Sequence, residues 1–293
     1  MQDTTIKDYG LRPVWNEMLA IFDEFVKLCK KHNLRYYAYA GTALGAVRHD
    51  GFIPWDDDMD LAMPRPDYER FVRIANDELP HNLRFVNWKN TPEFHLLFGK
   101  IQLSDKMKVL KVEQEVGHIL SNGIFIDIFP LDGYPSKCQC TIIKVRDFFL
   151  SLLERFRFCT YSSLSWKGKA AWCIGGLLTL ICPNLHSYNQ FLRKHENTLL
   201  KFHFGSTENV GDVGYWHNVL HHPSYGKAVW GDPSPHKFED RIIMLPTDVD
   251  AHLRAHFGDY MRLPSEESRS PSHQLSCHFP WWLGPTTGDK LDE

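Results

Sequence analysis

Four aspartates stand close together at positions 56, 57, 58 and 60. Packing that many carboxylates is self-repulsive, and a bound cation relieves the repulsion. In an extended segment side chains two positions apart share a face, so Asp58 and Asp60 are expected to point the same way. Two such carboxylates at the start of a strand predict a hard-oxygen site for Mg²⁺ or Mn²⁺. Asp56 shares their face, whereas Asp57 points away and is expected to accept structural hydrogen bonds.

A third carboxylate, Asp127, is a candidate to complete this site. It stands between Ile126 and Ile128 in a strand-like run. A carboxylate there is costly unless a cation or hydrogen bonds satisfy it. The structural alternative is an acid at a sheet edge. Asp132 follows in a Phe-Pro-Leu-Asp-Gly stretch and, as a turn residue, needs no catalytic explanation.

A turn at Gly41-Thr42 precedes the acidic run. Backbone N–H groups beside a glycine can approach a phosphate without hindrance from a Cβ atom. Together with the acidic run, this pattern predicts a site for phosphoryl-type transfer, in which carboxylates hold a metal that neutralises developing charge. A solvated acidic turn is disfavoured because apolar residues flank the run. An EF-hand calcium loop is disfavoured because Leu61 stands where that loop needs glycine.

The elements that must position these residues follow from hydrophobic spacing. Apolar residues at three- and four-residue steps predict a helix from about 12 to 31. Thr42 can cap a short helix from Ala43 toward His49. Further strands are predicted at 36–40, 59–63, 83–88, 95–103, 108–112 and 123–130. Further helices are predicted at 67–79, 142–158, 187–202 and 248–260. Loops are predicted over 205–237.

This order of elements indicates an α+β fold, because strands and helices mix up to about residue 135 and helices dominate afterwards. The 293 residues suggest one large or two modest domains. We expect a catalytic core over 1–135, a helical accessory part over 136–263 packed on the core, and a loosely ordered tail over 264–293.

Composition narrows the class of protein further. The net charge is −3, so the chain lacks the overall basic excess of nucleic-acid-binding proteins, and no nucleic-acid partner is expected. The seven cysteines are odd in number and scattered, which indicates reduced thiols in a cytoplasmic protein. No secretory signal is evident at the N-terminus. The pair Cys138 and Cys140 lacks the other half of a metal site, and the trio His217, His221 and His222 is read as loop histidines rather than a zinc site.

The longest apolar run, over 170–182, is too short to span a bilayer. It predicts a buried helix of the accessory part. The alternative is an element that lies on a membrane, at the inner face, where a lipid-linked acceptor is presented. Lys167 and Lys169, just before the run, are compatible with this alternative.

Several segments resemble the LicD family of the nucleotidyltransferase-fold superfamily. They read GTALGAVRH over 41–49, GFIPWDDDMD over 51–60 and FIDIFPLD over 125–132, with a further match from 257 to 267. The tail departs from the family pattern, because the family's His pair is reduced to His273 and Pro271 is inserted. The resemblance implies a nucleotidyltransferase-like mixed sheet flanked by helices.

The resemblance also implies an activity, the transfer of a phospho-alcohol to a sugar of a cell-surface glycan such as lipopolysaccharide or teichoic acid. The group is typically phosphocholine from CDP-choline, whereas the similar fukutin-like proteins use CDP-ribitol. On this hypothesis Asp58 and Asp60 bind the metal, and Asp127 is the base or third metal ligand.

The donor's phosphates would be bound by the residues around this centre. Gly41 and Thr42 would cradle the diphosphate, and Arg48 or Lys100 would neutralise phosphate oxygens.

Two other classes of function remain open at this point. A metal-dependent glycosyltransferase also uses an Asp-x-Asp site for a nucleotide sugar, and a calcium- or choline-binding module would need no catalysis. For a choline head group, the aromatic residues Tyr215, Trp216, Tyr225 and Trp230 could form a cage around the ammonium, or they could be packing residues.

Overall fold

The computed structural model describes residues 9–103 apart from 92, 93 and 95, residues 124–134, seven positions between 143 and 156, and residues 166–180, 185–212 and 225–271. For residues 185–188 the backbone alone is described. Several sequence predictions fall outside this part of the chain: the strand at 108–112, the pair Cys138 and Cys140, the three histidines at 217, 221 and 222, and the tail beyond 271.

A mixed sheet forms the centre of the protein. Its spatial order is β1 (Tyr37–Ala38), β2 (Asp60–Pro64), β5 (Phe125–Gly133), β4 (Gly99–Leu103) and β3 (Leu83–Val86). Strands β2 and β5 are parallel, and the other neighbours in this order are antiparallel. The far end of β5 pairs with β6 (Asn209–Gly211), which pairs with β7 (Tyr225–Gly226). A mixed α+β architecture agrees with the sequence prediction.

Two helices cover one face of this sheet. Helix α1 (Arg12–His32) confirms the helix predicted from apolar spacing, and it ends at Asn33 in a left-handed conformation with φ 49°. Helix α3 (Arg65–Glu78) begins directly after β2 and buries Phe71 and Ala75. The rings of Phe25 and Phe71 meet edge to face at 5.3 Å, so the two helices share one apolar layer over the sheet.

The C-terminal part of the described chain completes the same layer. The hairpin of β8 (Ser234–Phe238) and β9 (Arg241–Leu245) places Phe238 in the cluster that contains α1. The prediction of loops over 205–237 is therefore wrong in part, because β6, β7 and β8 lie there. Glycine and proline suggested loops, but Pro235 occupies an outer strand of a two-stranded hairpin, where proline is tolerated.

The remaining helices are α4 (Trp166–Leu178), α5 (Leu185–Leu199) and α6 (Val249–Phe257), after the early helix α2 (Ala40–His49). The described positions between 143 and 156 are helical, in agreement with the predicted helix at 142–158. In the part of the chain described, no helix is both long and apolar enough to cross a membrane.

Candidate active site

Helix α2 brings the Gly41-Thr42 turn against the start of β2. The helix begins at Ala40, earlier than expected, and its N-cap Tyr39 makes no side-chain cap. The prediction that Thr42 caps this helix is wrong: its Oγ1 accepts a hydrogen bond from the Asp60 amide at 2.8 Å. Thr42 thereby ties the first turn of α2 to the acidic strand.

The backbone at the start of α2 is strained. Ala40 has a φ of 41°, which costs a residue with a Cβ atom about 1–2 kcal/mol. Its amide donates a hydrogen bond to Nε2 of the buried His252 at 3.3 Å. Strain of this kind collects at functional sites when the surroundings enforce it. The hydrogen bond to His252 of α6 therefore fixes the backbone conformation directly before Gly41.

The loop between α2 and β2 is fixed on both sides. A Cβ atom on Gly45 would overlap the Gly51 carbonyl oxygen. The backbone of the loop therefore packs so closely against α2 that only glycine fits at position 45. From the other side, the Trp15 indole N–H donates to the Asp56 carbonyl at 2.8 Å. The acidic residues that follow are thus carried on a rigid segment.

The acidic run shows the alternation that its sequence predicts. Asp56, Asp58 and Asp60 are half-buried, while Asp57 is completely buried. Burial, followed by the nearby Asp58 carboxylate, raises the pKa of Asp56 well above its usual range. A Cβ atom on Gly41 would stand 2.9 Å from Oδ2 of Asp56. The run and the first turn of α2 therefore form one surface.

Strand β5 adds Asp127 to this surface. Its Cα partner on β2 is Asp60, and its partner on β4 is Lys100. The three residues form a row across neighbouring strands, and residues paired in this way point to the same face of a sheet. The structure thus brings Asp127 beside Asp60, as a shared site requires.

Lys100 is the immediate charge partner of Asp127. Its Nζ lies 3.0 Å from Oδ1 and 3.3 Å from Oδ2, and both residues are buried. The same ammonium lies 3.5 Å from the centre of the Phe125 ring. Two residues for which the sequence suggested separate roles therefore neutralise each other in this structure.

Arg48 lies in the last turn of α2, at the opposite end from Gly41. Its Nη1 donates to the Tyr260 carbonyl at 2.7 Å, and its Nε donates to His49 at 2.9 Å. Burial, followed by the charge of Arg269, lowers the pKa of Arg48. The Arg269 guanidinium lies 5.4 Å from the Trp55 ring centre. Sequence reasoning assigned no role to Arg269, although it directly follows the C-terminal segment that resembles the LicD family.

A further buried acid, Asp212, was missed from the sequence. Burial, followed by the charges of Asp212, Tyr225 and Asp60, raises the pKa of Tyr39. Asp212 is 5% exposed and follows β6 in a stretch read as a loop, where no spacing pattern distinguished it. Its position near Tyr39, on which Asp60 also acts, makes it a candidate polar member of the site.

The aromatic residues proposed for a choline cage pack against each other where they are described. The ring centres of Tyr225, Trp230 and His252 are 4.9 to 5.5 Å apart. Rings on opposite sides of an ammonium would stand roughly 8–10 Å apart. Tyr225 and Trp230 therefore support the fold around Tyr39, and Tyr215 and Trp216 lie outside the described residues.

The residues of the acidic run suit a hard cation by their chemistry. Carboxylate oxygens are the ligands that Mg²⁺ prefers, and a cation would relieve the repulsion between Asp56 and Asp58. Among the residues that the structure describes, no group of three or more His, Cys, Asp or Glu side chains is arranged to hold a metal. The run thus offers the donor atoms without a complete set of ligands.

Gly41→Ala is expected to reduce turnover by about ten- to a hundredfold without unfolding the protein, because a displacement of this size near the reacting groups has such effects. The new Cβ atom would meet the flexible end of Asp56 and move that carboxylate. Gly226→Ala is the matched control, since its Cβ atom would meet nothing within 4 Å. Steady-state kinetics and thermal unfolding of both variants test this. If Gly41→Ala and Gly226→Ala have the same kinetics, Asp56 does not contribute to the active site.

Comparison with known proteins gives a family match over part of the chain. Residues 33–158 match the family model described as "LicD/FKTN/FKRP, nucleotidyltransferase domain". This segment is therefore similar to the LicD family, as its motifs indicated. This segment contains Gly41, the acidic run, Lys100 and Asp127.

One relative is similar over almost the whole chain. It is the lipopolysaccharide cholinephosphotransferase LicD of Haemophilus influenzae, 28% identical over 283 residues, which are 92% of this chain and 97% of that protein. An uncharacterized protein of Rickettsia typhi is 46% identical over 48 residues, 16% of each chain.

Proposed function

We propose that the protein transfers phosphocholine, or a related phospho-alcohol, from a CDP-alcohol to a sugar of a cell-surface glycan such as lipopolysaccharide. The full-length similarity to a lipopolysaccharide cholinephosphotransferase supports this choice of reaction. The observation that carries the proposal is the row of Asp60, Asp127 and Lys100 beside the first turn of α2.

The donor diphosphate is assigned to the N-terminal turn of α2. The first amides of a helix have no partner within the helix, and they carry its positive partial charge. The Ala40 amide is bonded to His252, so the diphosphate is assigned to the amides of Gly41 and Thr42, and the Thr42 hydroxyl holds the turn against Asp60. Asp58 and Asp60, with Asp56 beside them, would hold Mg²⁺ or Mn²⁺, which when bound neutralises charge on the diphosphate.

Asp127 is assigned as the base for the acceptor. The sugar hydroxyl gives its proton to Asp127, and its oxygen forms a bond to the phosphorus that carries choline. The bond between that phosphorus and the bridging oxygen breaks, and CMP leaves with the electron pair. Lys100, 3.0 Å from the Asp127 carboxylate, orients this base. The competing role of Asp127 as a metal ligand is disfavoured because a cationic side chain already contacts it.

The outer phosphate contacts are assigned to arginine. Arg269 lies against Trp55, which directly precedes the acidic run, and its positive charge acts on Arg48. Two arginines at one place favour a phosphate or another anion, because guanidinium groups bind such oxygens in a bidentate manner.

Product identity tests the proposal. The purified protein is incubated with Mg²⁺, a glycan acceptor and one donor at a time: CDP-choline, CDP-ribitol or a member of a UDP-sugar panel. We expect CMP and a phosphocholine-bearing sugar by mass spectrometry, with Asp127→Asn as the inactive comparison. Release of UDP without CMP would establish a glycosyltransferase instead, and release of phosphocholine with the nucleotide on the acceptor would establish nucleotidyl transfer.

A further inference from the structure

Helix α4 exposes several of its large apolar side chains to solvent. Trp166, Ile174 and Leu177 are 76%, 47% and 67% exposed, and Leu180, just beyond the helix, is 81% exposed. Their spacing places them along one stripe of the helix. The buried residues of the same helix are Gly168 and Gly175, which are seven positions apart. Large apolar residues of the helix are thus exposed along one stripe, while its two buried positions are glycines.

Close backbone packing holds α4 in this orientation. A Cβ atom on Gly175 would overlap the Leu152 carbonyl oxygen, and one on Gly176 would meet the Phe156 ring at 2.9 Å. The face of α4 that carries Gly175 and Gly176 therefore packs directly against the helical positions between 143 and 156. Rotation of α4 to bury Trp166 would drive larger side chains into that backbone. The helix expected within 170–182 is present as α4, but its expected burial is wrong for Ile174, Leu177 and Leu180.

The exposed stripe continues onto the neighbouring helix. Val145, Phe148 and Phe149 are 45% to 59% exposed there. Seven of the twelve large apolar side chains that are exposed in the described residues lie between 145 and 180. Single exposed apolar residues are ordinary, but a concentration of them marks an interaction surface.

The charge of this segment indicates what the surface contacts. Residues 136–182 contain seven Lys or Arg and two Asp or Glu, whereas the whole chain contains 33 and 36. Lys167 is exposed, and its Nζ lies 5.6 Å from the Trp166 ring centre. Lysine and tryptophan beside exposed leucine are typical of segments that lie in an anionic lipid interface. Two copies meeting through this face would bring like charges together, which disfavours a symmetric dimer.

We propose that the surface of α4 and positions 145–149, here called the apolar face, binds an anionic membrane. Trp166, Leu177 and Leu180 enter the boundary between head groups and acyl chains, and the basic residues contact lipid phosphates. The helix lies on the bilayer and does not cross it. This interaction requires neither donor nor acceptor and goes beyond the proposed transfer reaction.

Vesicle flotation of the full chain tests the proposal. Vesicles of phosphatidylcholine and phosphatidylglycerol in equal amounts are compared with vesicles of phosphatidylcholine alone. We expect binding to the anionic vesicles that weakens with salt. Trp166→Ser with Leu177→Ser should weaken it by about tenfold or more, because two large apolar side chains leave the lipid. Lys167→Glu with Lys169→Glu should reduce the preference for anionic vesicles.

The matched control replaces apolar residues that are exposed elsewhere. Ile242→Ser with Met261→Ser should bind vesicles like the unchanged protein, and all variants should unfold at similar temperatures because the altered side chains are exposed. Absence of vesicle binding by the unchanged protein, or equal binding by every variant, would overturn the proposal. So would a dimer in sedimentation that Trp166→Ser with Leu177→Ser abolishes, since a second copy would then occupy the face. Transfer activity is measured separately, so failure of one proposal leaves the other testable.

Discussion

Asp58→Asn and Asp60→Asn are each expected to lower the turnover of phosphocholine transfer by about a thousandfold or more while leaving the fold intact. Asparagine keeps the shape of aspartate but removes the charge that holds a divalent cation. Both residues are half-buried at the start of β2, so the change alters no apolar packing. Rates of CMP release, measured over a range of Mg²⁺ concentrations, give the effect.

Asp77→Asn is the matched control for this pair. Asp77 is exposed near the end of α3, and its replacement should leave turnover unchanged. Circular dichroism and thermal unfolding verify that all three variants fold. Near-normal turnover in either Asp58→Asn or Asp60→Asn would rule out the acidic run as the metal site.

Arg65→Met is expected to lower the free energy of unfolding by about 3–5 kcal/mol, the usual effect of breaking a buried ion pair from one side. The Arg65 guanidinium donates to both oxygens of Asp132, at 2.8 and 2.5 Å, and both side chains are buried. Burial raises the pKa of Asp132, and Arg65 opposes that rise. Without Arg65 the buried acid has lost its main partner, and urea unfolding measures the cost.

The double variant Arg65→Met with Asp132→Leu should recover most of the loss, because neither charge of this pair remains. The buried Glu196, 3.8 Å from Arg65, keeps Lys89 at 3.1 Å as its partner. Arg254→Met, which breaks an exposed ion pair with Asp250, should cost no more than about 1 kcal/mol. Equal losses for Arg65→Met and Arg254→Met would show that the buried pair has no special role in stability.

Local patterns predicted the elements of the site but not its charge pairs. The spacing of apolar residues is enough to predict α1 and α3, and alternation is enough to separate Asp57 from its neighbours. The partnership of Lys100 with Asp127 depends on which strands become neighbours, and these residues lie far apart in sequence. The same holds for Arg65 and Asp132: the sequence suggested a turn at Asp132, whereas the residue lies in β5 as a buried acid.

Two further misses have identifiable physical causes. Apolar composition over 170–182 suggested burial, but close glycine packing decides which side of α4 faces inward. Thr42 has the chemistry of a helix cap, yet the amide of Asp60 competes for its oxygen. Both outcomes depend on contacts between segments, which spacing within one segment does not contain.

Strand β5 carries its two acids on opposite sides. Asp127 and Asp132 are an odd number of positions apart, so they point to opposite faces of the sheet. Asp127 shares its face with Phe129 and Leu131, whereas Asp132 shares its face with Ile126 and Ile128. Loss or gain of one residue between the two acids would turn one of them to the wrong side of the sheet. That acid would lose its basic partner, Lys100 or Arg65. The length of this short segment is therefore under tighter constraint than the identity of its apolar residues, and a single-codon insertion there is far more damaging than a substitution.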